Sequence, residues 1–272
     1  MPAPETLSLG QLLDKRFEPE RWVIGDGLLP IGGLMILAGQ PKARKSMTLN
    51  ALCHAMITAT PAFCAQSIQS GGRVKPVLAV SRPHCVLVFE QELGQQEYAE
   101  RWRGVIADEV ETRQKLLRDN LHVRSMDFTM MLDNEGVDLI AAEIEALRPD
   151  VVCFDPLRKF HASEENSATE MSRVMRSLSI LRAKYGISII VLHHEAKPSE
   201  HRQGGAAGRG SSVVFADCDA WISQKLTNKN AGILQLQFEL RRAKPLLSMT
   251  LHQDDRGMAI FSHWGKPDKG ET

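Results

Sequence analysis

The sequence lacks the marks of a membrane-spanning, secreted or disulfide-bonded protein. It contains no run of about 18 apolar residues, the length that crosses a bilayer. Its first residues lack the basic segment and apolar core of a secretory signal. The five cysteines are scattered and form no C-x-x-C pair, which argues against a disulfide framework or a zinc ribbon. We therefore expect a cytoplasmic protein without a membrane partner, whose cysteines are small buried residues.

An imbalance of charge is also missing. The 33 lysines and arginines are matched by 33 aspartates and glutamates, so the formal net charge is zero. This excludes a globally basic nucleic-acid binder, although a locally basic loop stays compatible with it. The length of 272 residues allows one large domain or two small ones. No internal repeat or low-complexity tract is present, which excludes a repeat protein.

Short apolar runs alternate with amphipathic stretches, a pattern typical of an α/β domain. The runs are apolar throughout, as expected for strands of a parallel sheet that is covered on both faces. The spacing predicts one apolar face on the helix that follows the first run, and it predicts further helices later in the chain. The predicted strands cover 34–38, 76–80, 85–89, 151–154 and 187–192, and the predicted helices cover 49–57, 95–106, 137–147 and 171–181.

The pattern changes after residue 212. Residues 233–240 alternate between apolar and polar with period two, as a half-exposed strand does. Two further runs, 247–253 and 258–263, flank the turn sequence 254–257 and predict a hairpin. We expect these strands to be antiparallel and to extend one edge of the same sheet. The predicted organisation is an N-terminal arm (1–20), a single α/β domain (21–264) and a flexible tail (265–272).

A phosphate-binding loop is predicted at residues 39–46, GQPKARKS. They match seven of the eight positions of G-x-x-x-x-G-K-[ST] and lie between a predicted strand and a predicted helix. In such a loop backbone N–H groups cradle phosphate, the lysine reaches the β- and γ-phosphates, and the hydroxyl binds Mg²⁺. The alternative is a basic loop that precedes a helix by chance. The predicted ligands are ATP and Mg²⁺, with nucleotide contacts from Gly39, Pro41, Lys42, Ala43, Arg44, Lys45, Ser46 and Met47.

Arg44 occupies a position where the pattern has glycine. Glycine there lets the backbone approach phosphate without a side chain in the way. An arginine must either point outward or force the loop to shift, although its positive charge would not repel a triphosphate. We expect the arginine to affect the rate of hydrolysis more than nucleotide binding.

Two acids follow apolar strands and are candidates for the chemistry. Asp155 ends the run Val-Val-Cys-Phe, where it could hold Mg²⁺ mostly through water. Its alternative role is a turn or helix-capping aspartate before Pro156. Glu92 could orient and deprotonate an attacking water. Glu90 lies on the same strand face and could do the same, and a solvated loop acid is the further alternative.

His194 and the residues after it form the next candidate group. His194 ends a predicted strand, where it could hydrogen-bond the γ-phosphate, whereas His193 should face the core. Residues 195–212 are rich in Gly, Ala and Ser and predict a mobile loop. The loop is locally basic and could contact nucleic-acid phosphates, or it could be an ordinary solvated loop. Its candidate DNA contacts are Lys197, Arg202 and Arg209.

A basic cluster at 241–244 follows the alternating strand. Arg242, with Lys244, could reach the γ-phosphate of a neighbouring subunit as a finger. The alternative is a charged strand end that resists edge-to-edge aggregation.

Together these residues resemble the RecA-like ATPases, in particular the ring-shaped plasmid and phage replicative helicases of the RepA type. The resemblance covers about residues 20–262, and the motifs occur in the order of that family. The lead-in 22–33 is similar to the segment before the family's phosphate loop, and 154–161 with 164–166 looks like its Walker B region. Residues 192–197 look like its sensor motif, and 208–212 look like its DNA-contacting motif.

The resemblance implies a RecA-like P-loop NTPase core and assigns roles to the candidates. Lys45 and Ser46 would bind phosphate and Mg²⁺, and Asp155 would be the Walker B acid. The remaining roles follow family positions: Glu92, nine residues before Arg101, as catalytic base, His194 as γ-phosphate sensor, Arg209 as DNA contact, and Arg242 with Lys244 as finger. In many relatives the finger reads Lys-x-Arg, whereas here it reads Arg-Ala-Lys.

The expected function is therefore a Mg²⁺-ATP-dependent DNA helicase motor acting on single-stranded DNA. The resemblance implies a homo-oligomer, in the family commonly a hexameric ring, and other replication proteins as further partners. Two alternatives stay open: an ATP-binding regulatory or loading module with weak hydrolysis, and a RecA-like recombination or repair ATPase that forms open filaments.

Overall fold

The computed structural model describes residues 6–16, 21–64, 66–68, 74–132, 134–165, 167–194 and 212–264. The strands are β1 (Trp22–Ile24), β2 (Leu29–Pro30), β3 (Leu34–Gly39), β4 (Gln66–Ile68), β5 (Val74–Pro76), β6 (Val86–Glu90), β7 (Leu121–Ser125), β8 (Val151–Asp155), β9 (Ser188–His194), β10 (Ala220–Asn228), β11 (Ile233–Leu240), β12 (Met249–Gln253) and β13 (Ala259–Trp264). The α-helices are α1 (Leu9–Asp14), α2 (Lys45–Thr58), α3 (Gln95–Ala107), α4 (Glu111–Asn120), α5 (Asn134–Leu147), α6 (Ala168–Tyr185) and α7 (Ser212–Asp217). In the described part of the chain, no helix has the length and apolar character needed to cross a membrane.

A nine-stranded sheet organises the described residues, in the order β13-β12-β11-β10-β3-β9-β8-β6-β7. The strands from β10 to β7 pair in parallel, whereas β10, β11, β12 and β13 pair antiparallel. This confirms the predicted fold class, a mostly parallel sheet with antiparallel C-terminal strands at one edge. The period-two pattern at 233–240 corresponds to β11 at both ends.

The strand alternation divides the core between the two faces of the sheet. In β3, Leu34, Ile36 and Ala38 pack with α5, α6 and α7, while Met35 and Leu37 pack with α2, α3 and α4. All five side chains are fully buried, because helices cover both faces. The uniformly apolar character of the central strands has this double burial as its cause.

The helix after the phosphate loop is more deeply buried than its pattern indicates. The sequence predicts one apolar face, but α2 is buried around most of its circumference, polar Thr48 and Asn50 included. It lies against β3 and β6 on one side and contacts α4 and β13 on others. The spacing of the apolar residues could not show this, because small and polar residues fill the remaining positions.

Two other segments differ from the prediction. Residues 76–80 do not form a strand; instead Val74–Pro76 pairs with Gln66–Ile68 in a separate two-stranded sheet. The pair α4 and β7 was not predicted, because α4 is strongly polar and β7 is an edge strand with His122 and Arg124 in its sequence.

A buried carboxylate fixes the edge of the sheet opposite the phosphate loop. Asp219 precedes β10, and its Oδ2 accepts the Leu34 N–H (2.9 Å) and an N–H of Arg182 (3.0 Å). Its Oδ1 lies 3.0 Å from Nε of Arg242. One side chain thereby connects the start of β3, α6 and the segment after β11, and its removal would leave several donors without a partner.

Replacement of Asp219 by alanine should lower the free energy of unfolding by about 3 kcal/mol, because it leaves a buried charge pair half empty. Urea denaturation followed by tryptophan fluorescence measures the change. Asp255→Ala, at an exposed hairpin position, is the matched control and should shift the midpoint little. Equal midpoints for both variants would contradict the role given to Asp219.

Candidate nucleotide site

The carboxyl ends of the central parallel strands meet at one edge of the sheet. Gly39 of β3 is paired with His194 of β9, and Glu90 of β6 is paired with Asp155 of β8. A cavity of about 460 Å³ opens at this edge. It is lined by Pro41, Lys42, Ala43, Arg44, Lys45, Ser46, Met47, Glu92, Arg101, Asp155, Pro156 and His194. The structure therefore brings the predicted phosphate loop, both metal candidates, Glu92 and His194 to one place.

The backbone of the phosphate loop turns sharply into α2. Lys42 (φ 65°) and Arg44 (φ 63°) both adopt the left-handed conformation, and α2 begins at Lys45. Gly39 is required by close packing, because a Cβ there would lie 2.6 Å from the carbonyl oxygen of Gln224. The loop thus presents the N-terminus of a buried helix to the cavity, a position that favours anions.

Lys45 lies at the centre of the loop and is almost fully buried. Its Nζ donates to the carbonyl oxygens of Gly39 and Gln40, both at 3.0 Å, and lies 3.1 Å from Nδ1 of His194. The ammonium group therefore connects the phosphate loop with the end of β9.

Asp155 has the environment of a metal-binding carboxylate. It is 3% exposed, and burial together with the neighbouring Glu90 raises its pKa to about 8. A hydrogen bond from Ser46 and the charge of Lys45 act in the opposite direction. A carboxylate beside a hydroxyl is an oxygen donor set that fits Mg²⁺. Among the described residues no cluster of three or more His, Cys, Asp or Glu could hold a metal, so further Mg²⁺ ligands would be phosphate oxygens and water.

The two glutamates that the sequence left as alternatives have different surroundings. Glu90 is buried, and its Oε1 accepts the N–H groups of Glu92 (2.6 Å) and Leu93 (3.0 Å). Burial raises the pKa of Glu90. Glu92 lies beyond the end of β6, is exposed and lines the cavity. Glu90 therefore shapes the turn, and Glu92 is the acid that can reach a water in the cavity.

The two histidines at the end of β9 also separate. His193 is buried and packs edge-on against Trp221, with 6.1 Å between ring centroids, as the sequence predicted for a core residue. His194 is half-buried and lines the cavity beside Lys45. Arg101 of α3 also lines the cavity, and sequence reasoning did not place it among the site residues. Its distance from Glu92 along the chain was the signal that could have identified it.

The predicted finger and DNA-contacting residues do not lie in this cavity. Arg242 is exposed and paired with Asp219 at the opposite edge of the sheet, and Lys244 is exposed nearby along the chain. That edge is separated from the phosphate loop by the length of β3, roughly 16 Å. Neither residue can act on the nucleotide of its own chain. Lys197, Arg202 and Arg209 lie outside the described residues.

Comparison with known proteins agrees with this geometry. Residues 2–200 match the AAA domain family. The chain belongs to this family, and it is a RecA-like P-loop ATPase. Among similar solved structures are an ATPase domain (TM-score 0.57, 12% identity, 85% of each chain) and a DnaB-like replicative helicase described with its primase interactions (0.59, 13%, 86% of this chain and 58% of that one). The flagellar accessory protein FlaH from Methanocaldococcus jannaschii is similar to the same degree (0.55, 13%, 86% and 91%).

Replacement of Asp155 by asparagine should stabilise the nucleotide-free protein. Because the folded state keeps a proton up to a pKa of about 8, whereas an unfolded aspartate releases it near pH 4, the stability falls as pH rises between these values. Asparagine removes this loss, by at least about 1 kcal/mol at pH 8 and by less toward pH 5. Thermal unfolding without Mg²⁺ measures both points.

The same variant should lose Mg²⁺-dependent ATP hydrolysis by about 10- to 100-fold, since the metal candidate is gone. Asp255→Asn, which is exposed, is the control for both measurements. An Asp155→Asn protein with the stability profile of the parent would contradict the buried, proton-holding state of this acid.

Proposed function

We propose that this ATPase is a Mg²⁺-ATP-dependent motor on single-stranded DNA, of the replicative helicase type, and that it works as a ring. The observation that carries the proposal is the contact between Lys45 Nζ and His194 Nδ1 at 3.1 Å. It joins the group that would bind the terminal phosphates to the strand from which the basic segment 195–211 continues. A change at the phosphates can thus reach the segment that would contact DNA.

The chemistry follows from the positions of the side chains. Lys45 leaves the carbonyl oxygens of its own loop to bind the β- and γ-phosphates, and His194 then exchanges its lysine contact for the γ-phosphate. Glu92 accepts the proton of the attacking water. Asp155 and Ser46 would hold Mg²⁺, whose chemistry is to neutralise charge on the phosphate oxygens. Glu90 keeps Glu92 in position through the backbone of the turn.

The DNA contacts are proposed for Lys197, Arg202 and Arg209. Because the net charge is zero, affinity for DNA should be modest, salt-sensitive and confined to this segment.

Arg209→Ala should leave DNA-independent ATP hydrolysis within about twofold of the parent and should remove its stimulation by single-stranded DNA. The salt dependence of DNA binding should fall by about one ion, since one phosphate contact is lost. Arg173→Ala, on the exposed face of α6, is the control with the same loss of charge. Normal DNA stimulation of the Arg209 variant would contradict the assignment of this segment.

The ring is supported by the position of Arg242, which can serve only the site of another subunit. Lys45→Ala and Arg242→Ala should each lower hydrolysis by about 1000-fold. An equimolar mixture of the two should recover part of the activity, because some sites combine an intact Lys45 with an intact Arg242 from the neighbour.

A mixture of Lys45→Ala with Glu92→Gln is the matched control. Both of these residues belong to one cavity, and complementation between them is not expected. Recovery in the control, or none in the test mixture, would contradict a finger supplied by a second subunit.

The second candidate is an ATP-binding regulatory or loading module with weak hydrolysis. Arg44 in place of the usual glycine favours it, and so does the comparable similarity to a protein named as a flagellar accessory protein. Tight ATP binding without turnover, with or without DNA, would decide for this candidate. An open-filament recombination ATPase would instead show filaments in electron micrographs where a ring is expected.

A further inference from the structure

The side chain of Arg44 leaves the phosphate loop and reaches the antiparallel part of the sheet. One terminal nitrogen, Nη1, donates to Oε1 of Gln253 at the end of β12, and Nη2 donates to the carbonyl oxygen of Lys229 at 3.1 Å. Lys229 belongs to the turn between β10 and β11. The guanidinium therefore connects the phosphate loop with two separate segments of the C-terminal strands.

The backbone around these partners is shaped to receive the arginine. Gly232 has φ +66°, and a Cβ at this position would lie 3.0 Å from Arg44 Nη1 and 3.2 Å from Cβ of Gln253. The Gln253 N–H in turn donates to the Gly232 carbonyl oxygen at 3.2 Å. The β10–β11 turn and the end of β12 thus form a single receptor for the guanidinium.

The next hairpin turn makes a second contact with the same region. A Cβ on Gly257 would lie 3.5 Å from Sδ of Met47, in the first turn of α2. Both hairpin turns of the C-terminal strands therefore pack against the phosphate loop or the start of its helix.

This attachment compensates for the backbone conformation of the loop. The left-handed conformation at Arg44 (φ 63°) is disfavoured for any residue with a Cβ, whereas glycine adopts it freely. Hydrogen bonds to a charged guanidinium are among the stronger ones in proteins. Two of them, at the far end of the side chain, can hold the loop in a conformation that the residue alone would not favour.

We infer that Arg44 is a positioning residue that ties the phosphate loop to the C-terminal strands and thereby sets the affinity for ATP. The loop is held ready for nucleotide only while Gln253 and the turn at Lys229 hold the guanidinium. A movement of the C-terminal strands changes ATP affinity through this side chain. The inference rests on the proposed function only in requiring that the chain binds ATP.

Gln253→Met tests the inference from the distant end, because it removes the acceptor and keeps the length of the side chain. Kd is measured with a fluorescent ATP analogue, and KM and kcat are measured by steady-state hydrolysis. Kd and KM should rise about 5-fold, the effect of one lost hydrogen bond, with kcat within twofold. Gln237→Met, an exposed glutamine on β11, is the matched control and should change none of the three.

A double-mutant cycle tests whether the effect passes through Arg44. Arg44→Ala should weaken ATP binding at least as much as Gln253→Met, and addition of Gln253→Met to it should cause no further loss. Arg44→Gly should bind ATP more tightly than Arg44→Ala, because glycine accepts the left-handed conformation.

Several results would overturn the tether. Unchanged Kd in Gln253→Met, or additive losses in the double variant, would show that Gln253 does not act through Arg44. Tighter ATP binding by Gln253→Met would show that Gln253 withholds the arginine from the phosphates. Failure of the unchanged protein to bind ATP would overturn the proposed function itself, and this control separates the two.

Discussion

The parallel pairing of four strands is the constraint on which the rest of the structure depends. Main-chain pairing sets Gly39 beside His194 and Glu90 beside Asp155. The carboxyl ends of β3, β9, β8 and β6 therefore deliver the phosphate loop, the sensor candidate and two acids to one edge. No side chain needs to reach far along the chain for this, because helices that cross both faces return each strand in the same direction.

This arrangement places costly groups together. Asp155 and Glu90 are both buried, and burial raises the pKa of each, so two carboxyl groups close to one cavity disfavour each other's charge. Arg44 adds a left-handed backbone to the same region. The opposite edge is held by Asp219, whose carboxylate joins β3, α6 and the segment after β11. A firmly attached far edge allows the near edge to keep groups that are poised for a highly charged ligand.

The residues of the site were predictable wherever the local pattern carries the chemistry. The motif at 39–46, the acid after a buried strand and the burial of His193 depend on the sequence within a few positions. The distinct roles of Glu90 and Glu92 were not predictable, because they depend on β6 ending at Glu90. The direction of Arg44 depends on Gln253, more than two hundred residues away along the chain. Long-range pairing of this kind leaves no local signal, and the same holds for the partnership of Asp219 with Arg242.

The central claim is that these side chains form an ATP-hydrolysing site that communicates with a DNA-binding segment. Steady-state ATP hydrolysis with and without single-stranded DNA tests it most directly, with Lys45→Ala as the blank. The account predicts Mg²⁺-dependent turnover that rises when single-stranded DNA is added and is absent from the Lys45 variant. Turnover at the level of the blank in both conditions, by protein that still binds ATP, would contradict it.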